Sequence, residues 1–172
     1  MAEKSALMSG EWVLALEQIA QGLLDTSDAS GDTDFTYAEI FTGSPEPRSD
    51  GNQTGYVMSF KGRKATVRSG VREVEPANCS VWIDYQAAAD SLGVKSGTEL
   101  GELMRKAGAE GKMRMIGSMD GVPVSMHELH DAICDRSSLT RATDNNAFAK
   151  GRALNEYKKS SPSQSAPSGR SG

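Results

Sequence analysis

At 172 residues the chain has the length of one domain with a tail. A net charge of −4, from 19 basic and 23 acidic residues, argues against nucleic acid as a partner, because phosphate contacts require clustered Lys and Arg. No apolar run approaches the roughly 20 residues that span a bilayer, so no integral membrane association is expected.

Residues 1–9 read as an N-terminal arm. Glu3, Lys4 and the short run Trp12–Leu16 do not form a secretory signal, so a cytoplasmic location is expected. Trp12, Leu16, Ile19 and Leu23 recur at spacings of four, three and four, which predicts a helix over Gly10–Leu24 with one apolar stripe. The polar stretch Asp25–Asp32 follows. Phe35–Phe41 reads as a strand in which Glu39 interrupts the alternation, and Gly43–Asn52, with Pro45, Pro47 and Gly51, reads as a loop.

Tyr56, Met58 and Phe60 alternate with Val57 and Ser59, and Ala65, Val67 and Ser69 alternate with Thr66 and Arg68. These are two strands joined by the turn Lys61–Lys64. Cys79, Val81, Ile83 and Tyr85 form the inner side of another strand, leaving Ser80, Trp82 and Asp84 outward. Gln86–Leu92 then reads as a helix.

Ser96-Gly97-Thr98-Glu99 and Ser125-Met126-His127-Glu128 both match a capping box. The first predicts a helix with Leu100, Leu103, Met104 and Ala107 on one face, ended by Gly108 and Gly111. The second predicts a last helix with Met126, Leu129, Ile133 and Leu139 inside. Lys112–Ile116 is the strand between them. This order predicts an α+β domain over residues 10–139, a largely antiparallel five-stranded sheet with helices packed on one face. Within residues 140–157, Asn145–Tyr157 has the apolar positions of a further helix, interrupted by Gly151. Residues 158–172 have a Ser-rich, linker-like composition and read as a disordered tail.

Little in the chain looks catalytic. Cys79 and Cys134 lack a C-x-x-C spacing and are expected to be reduced and buried. His127, His130 and Cys134 share one helix with Asp131, but one helix presents only part of a metal shell, so no metal is expected. No glycine-rich phosphate loop has the required order, so no nucleotide cofactor is expected. Five of the eight methionines, Met104, Met113, Met115, Met119 and Met126, fall within 23 residues. Flexible thioethers fit irregular apolar shapes, which serves a filled core or a pocket equally. Trp12 is expected to pack on the sheet, and Trp82 on the outer face marks a candidate contact with another subunit or protein.

The segment Gly111-Lys112-Met113-Arg114-Met115-Ile116-Gly117-Ser118-Met119 resembles the glycine-lysine-apolar-basic-apolar-x-glycine-x-methionine segment of the sterol carrier protein 2 family. Val67-Arg68-Ser69-Gly70, followed by Ala77–Ile83, resembles that family's basic-then-glycine strand end and the strand after it. The resemblance runs in order and spacing over Phe35–Asp135, with an insertion at Gly43–Asn52 and a longer turn at Gly117–Pro123. It implies a sterol carrier protein-like fold that encloses an apolar ligand without bond chemistry: a binding protein rather than an enzyme, with no cofactor. The implied ligand is a fatty acyl chain, acyl-CoA, sterol or steroid. The residues implied to line its pocket are Phe60, Ile83, Tyr85, Leu100, Leu103 and Met104, then Met113, Met115, Met119, Met126 and Leu129, with Tyr56 and Tyr85 as polar anchors. The alternative is an accessory domain without its own ligand, acting as a homodimer or docking on a partner enzyme of lipid or steroid metabolism. An enzyme using His127 and His130 on an apolar substrate ranks third.

Overall fold

Ser9 opens helix α1 (Gly10–Thr26), its Oγ accepting the Trp12 N–H at 3.1 Å, and Glu11 lies in the positively polarised first turn. The computed structural model describes residues 5–138 of the chain. Leu139, the helix expected over Asn145–Tyr157 and the Ser-rich tail lie outside the described residues. Strand β1 (Ser5–Ala6) precedes α1, and after it come β2 (Asp34–Thr42), β3 (Gln53–Lys61), β4 (Lys64–Val71) and β5 (Cys79–Asp84). Helices α2 (Tyr85–Ser91) and α3 (Thr98–Ala109), strand β6 (Met113–Gly117), helix α4 (Met126–Arg136) and strand β7 (Ser137–Ser138) complete the order.

The main sheet has the spatial order β4-β3-β2-β5-β6. β2 pairs with β5 in parallel, and the other three pairings are antiparallel. The architecture is thus α+β with a mixed, mostly antiparallel sheet. β1 and β7 form a separate parallel pair with Ser5 opposite Ser137.

Strand alternation sets the two faces. Phe35, Tyr37, Phe41, Tyr56, Met58, Phe60, Val81 and Ile83 point toward the helices and pack with Trp12, Leu16, Ala20 and Leu24 of α1 and with Leu129 and Ile133 of α4. The α1 residues buried deepest are Trp12, Leu16, Ala20 and Leu24, while Ile19 and Leu23 flank them. The buried stripe thus shares Trp12 and Leu16 with the expected one and then steps to Ala20 and Leu24 in place of Ile19 and Leu23. Among the described residues the outer face holds a small cluster, Ala38, Ile40, Val57 and Val71, with Ala77 and Trp82 against it.

The two sheet edges are treated differently. Along β4 the outward backbone donors are met by α1: Glu17 Oε2 accepts the Val67 N–H at 2.7 Å and Gln21 Oε1 accepts the Ala65 N–H at 2.8 Å. Side-chain acceptors from a helix thus close that edge to further pairing. β6 is the other edge and is largely exposed, with Met115 and Ile116 both more than half accessible. Met115 lies opposite Val81 and so belongs to the helix-facing side, but beyond the area that the helices cover.

Two glycines are required by close backbone approach. A Cβ on Gly55, at φ +151°, would lie 2.0 Å from the Glu39 carbonyl oxygen, and the β3–β4 register shifts at this point. A Cβ on Gly117, at φ +91°, would lie 2.0 Å from the Asn78 carbonyl oxygen, which explains the second glycine of the Gly111–Met119 segment. Gly111, at φ +70°, supplies the left-handed residue after α3.

The two capping-box expectations divide. Ser125 caps α4, its Oγ accepting the Glu128 N–H at 3.3 Å. Ser96 does not cap α3, whose cap is Gly97 without a side-chain bond. Instead the Ser96 N–H donates to Asp131 Oδ1 at 2.6 Å and its hydroxyl to the His127 carbonyl at 3.1 Å. A tertiary contact with α4 has taken the side chain that the local pattern assigned to a helix start. No helix among the described residues is long and apolar enough to cross a membrane.

Candidate functional site

A cavity of about 230 Å³ lies between the sheet and the helices. Tyr37, Glu39 and Phe41 of β2, Tyr56 of β3, Val81 and Ile83 of β5 and Met113 of β6 form its floor. Trp12 and Leu16 of α1, Leu100 and Met104 of α3, and Met126, Leu129 and Ile133 of α4 supply apolar walls. His127 and His130 also line it, and the exposure of His127 sets it on the solvent side.

Of the residues expected at a pocket, Ile83, Leu100, Met104, Met113, Met126 and Leu129 line this cavity, and Tyr56 does too. Phe60 is fully enclosed in the core beneath. Tyr85 is the first residue of α2 and meets Phe41 edge-on, ring centres 6.2 Å apart, outside the lining. Leu103 and Met119 are part-buried away from the lining, and Met115 is exposed on the edge strand.

Sequence reasoning passed over Glu39. It follows Phe35 and Tyr37 in the inward phase of β2, so its carboxylate enters the apolar side of the sheet. Tyr37 Oη donates to Glu39 Oε2 at 2.8 Å, and Tyr56 Oη donates to the same oxygen at 2.6 Å. Tyr56 is the cross-strand partner of Glu39. Both hydroxyls thus fall on one oxygen, and among the described residues Oε1 has no hydrogen-bond partner. The available signal was a carboxylate two residues after a tyrosine, in phase with the apolar face.

The aromatic rings hold these hydroxyls in place. Trp12 meets Tyr56 edge-on at 5.6 Å, and Tyr37 lies 6.1 Å from Tyr56. Trp12 is fixed at its other end, its Nε1–H donating to Ser137 Oγ at 2.9 Å. Burial raises the Glu39 pKa above the usual carboxylate value, opposed by the bonds from Tyr56 and Tyr37 and by nearby His130. Burial, and then the Glu39 charge, pushes both tyrosines well above the ordinary phenol value, so they remain donors.

A raised folded-state pKa means that Glu39 contributes most to stability when protonated, below the unfolded glutamate value, and that this contribution is lost as pH rises through the folded value. Glu39→Gln keeps an acceptor for the tyrosines and removes the buried charge. The variant is therefore expected to be more stable than wild type at neutral pH, with the difference shrinking toward pH ~4. Urea denaturation at both pH values checks this; a variant less stable at neutral pH than in acid, relative to wild type, would contradict it.

His130 is held by the loop before α3. Its Nε2 lies 2.8 Å from the Val94 carbonyl oxygen, with the Cys134 thiol 3.3 Å from the same nitrogen. Burial raises the pKa of both cysteines, which favours unreactive thiols. The same loop is tied to α4 by Lys95, whose Nζ reaches Asp135 Oδ1 at 2.6 Å.

A larger groove of about 690 Å³ opens on the outer sheet face, lined by charged residues that include Asp34, Lys61, Arg68 and Glu75. Arg68 and Glu75 are paired, and Asp34 stands opposite Lys61, so among the described residues the groove mixes charges of both signs. Trp82, on the same face, carries the Arg114 guanidinium 4.3 Å above its ring.

No family model and no curated protein matches this chain. Among solved structures it is similar to a sterol carrier protein 2 at 12% identity and a TM-score of 0.48, over 76% of this chain and 99% of that one. It is similar to the sterol carrier protein domain 2 of Helicoverpa armigera at 16% identity and a TM-score of 0.41, over 74% of this chain and 86% of that one. It is also similar to a UbiJ-SCP2 ubiquinone synthesis protein at 14% identity and a TM-score of 0.38, over 72% and 92% of the two chains. Sterol carrier protein 2 domains thus stand among the solved structures to which this chain is similar.

Proposed function

We propose that the chain is a non-catalytic binding protein that sequesters and carries an apolar ligand in the cavity between sheet and helices. The observation that carries this reading is an apolar space with one polar end, formed by Glu39, Tyr37 and Tyr56. Mostly apolar walls with a few convergent polar groups are what small-molecule sites share.

Volume limits the occupant. About 230 Å³ exceeds the roughly 150 Å³ cavity that holds benzene, but falls below the range of about 300–1,000 Å³ usual for drug-sized ligands. One ring or a short hydrocarbon chain fits. A whole acyl-CoA, sterol or steroid would seat only a part inside, with the rest leaving past His127. A chain of about eight carbons gains about 6 kcal/mol from burial of its hydrocarbon, and association costs at least about 4 kcal/mol. Apolar burial alone therefore gives weak binding, and the polar end decides whether the affinity is useful.

The reading is tested by native mass spectrometry of the protein as purified, followed by organic extraction. A bound small amphiphile is expected in wild type and absent from Met104→Trp, which fills the cavity from α3. Equal occupancy in the two proteins, or a clean mass that does not shift with added short-chain alcohols, would sink it. Docking of the outer face on a partner ranks second, since Trp82 is already stacked under Arg114.

A further inference from the structure

We infer that the cavity selects a ligand carrying a hydrogen-bond donor, foremost a primary amine on a small apolar body, and that Glu39 Oε1 is its anchor. The inference rests on the pocket reading above and adds the chemistry of the ligand's polar end.

The polar groups around Glu39 leave a ligand acceptors rather than donors. Tyr37 and Tyr56 spend their hydroxyl protons on Glu39 Oε2 at 2.8 and 2.6 Å, so neither has a proton left to offer a ligand. The other carboxylate oxygen has no partner among the described residues, and Glu39 lines the cavity. His130 follows the same logic. The Val94 carbonyl can only accept, so at 2.8 Å it takes the Nε2–H of His130, and that proton too is spent.

A ligand that arrives with a carboxylate, such as a free fatty acid, would set one anion against another in an apolar enclosure. A ligand with an ammonium group meets a charge partner and an open lone pair together, and charge-assisted hydrogen bonds are the strong ones. A hydroxyl can donate but carries no charge, so an alcohol should fall between the two. The carboxylate is also set rigidly. Its backbone is pressed against Gly55, and both tyrosines that fix its rotamer are packed into the aromatic group around Trp12. A preorganised acceptor loses little freedom on binding.

Chain-matched probes test this. Octan-1-amine, octan-1-ol and octanoate are titrated by calorimetry at about pH 8 into wild type and Glu39→Gln. In wild type the amine is expected to bind at least roughly tenfold more tightly than octanoate, with the alcohol between them. In Glu39→Gln the amine should lose that advantage and octanoate should gain. Equal binding of all three to wild type would overturn the anchor while leaving an apolar cavity in place. An amine preference that persists in Glu39→Gln would likewise overturn it, and would move the selectivity to another group. Binding of none of the three would overturn both the anchor and the pocket reading.

Discussion

Gly55→Ala is expected to destabilise the domain by more than about 4 kcal/mol, or to yield no folded protein. Two costs add. At φ +151° an L side chain is strained, and the added Cβ would lie 2.0 Å from the Glu39 carbonyl oxygen and 3.0 Å from the Ile40 Cα. The contact atoms are backbone of the central strand β2, hydrogen-bonded on both sides by β3 and β5, so they cannot swing away as the end of a side chain would. The same shift would displace Glu39 from Tyr56, its cross-strand neighbour. Urea denaturation of the purified variant measures the effect. A loss under ~1 kcal/mol would mean that β2 and β3 do not approach as closely here as described.

Trp12→Ala is expected to cost about 3–5 kcal/mol, the usual range for removing a buried large aromatic ring. The side chain is 2% exposed, and three separate things are lost with it. Its ring packs with Leu16 and the sheet in the core. The edge-on contact with Tyr56 contributes about 0.5–1.5 kcal/mol beyond area. The indole N–H bond to Ser137 ties α1 to the segment after α4. Trp12→Phe keeps most of the ring burial and removes the bond, so it should cost about 1–2 kcal/mol. Thermal and urea unfolding of the pair separates burial from the hydrogen bond. Equal losses in the two variants would contradict the assignment.

Most of the sheet was legible because its signal is local. In β3, β4 and β5 large apolar residues recur at every second position, and the side predicted inward for Tyr56, Met58, Phe60, Val67, Val81 and Ile83 is the side that packs on the helices, although Val57, Val71 and Trp82 put apolar groups on the other side as well. Glu39 was passed over because a charged residue in a strand looks like an error of phase, whereas here the phase is kept and the charge is placed inside. Recognising it needed the cross-strand tyrosine, 17 residues away in the chain. The Ser96 capping box misled for a related reason. The pattern is local, but Asp131, 35 residues further on, binds the Ser96 N–H.

Met115 shows another limit of pattern reading. Its position opposite Val81 gives it the helix-facing side, yet an edge strand that extends past the helices leaves that side in solvent. Alternation assigns a face; it does not say how far the next layer reaches. A space between layers is harder still to read. The methionines of α3, β6 and α4 could have met and filled it, and only the placement of these elements leaves about 230 Å³ above Glu39.

That space can be probed at the methionines themselves. In protein labelled at the methionine methyl groups, carbon–proton NMR spectra are recorded as octan-1-amine is added. Met104, Met113 and Met126 line the cavity, Met58 is wholly buried in the core, and Met115 lies in solvent. Saturable shifts are expected at the first three, with Met58 and Met115 unchanged. No shift at the lining methyls, or shifts confined to Met115, would contradict a ligand site between the sheet and the helices.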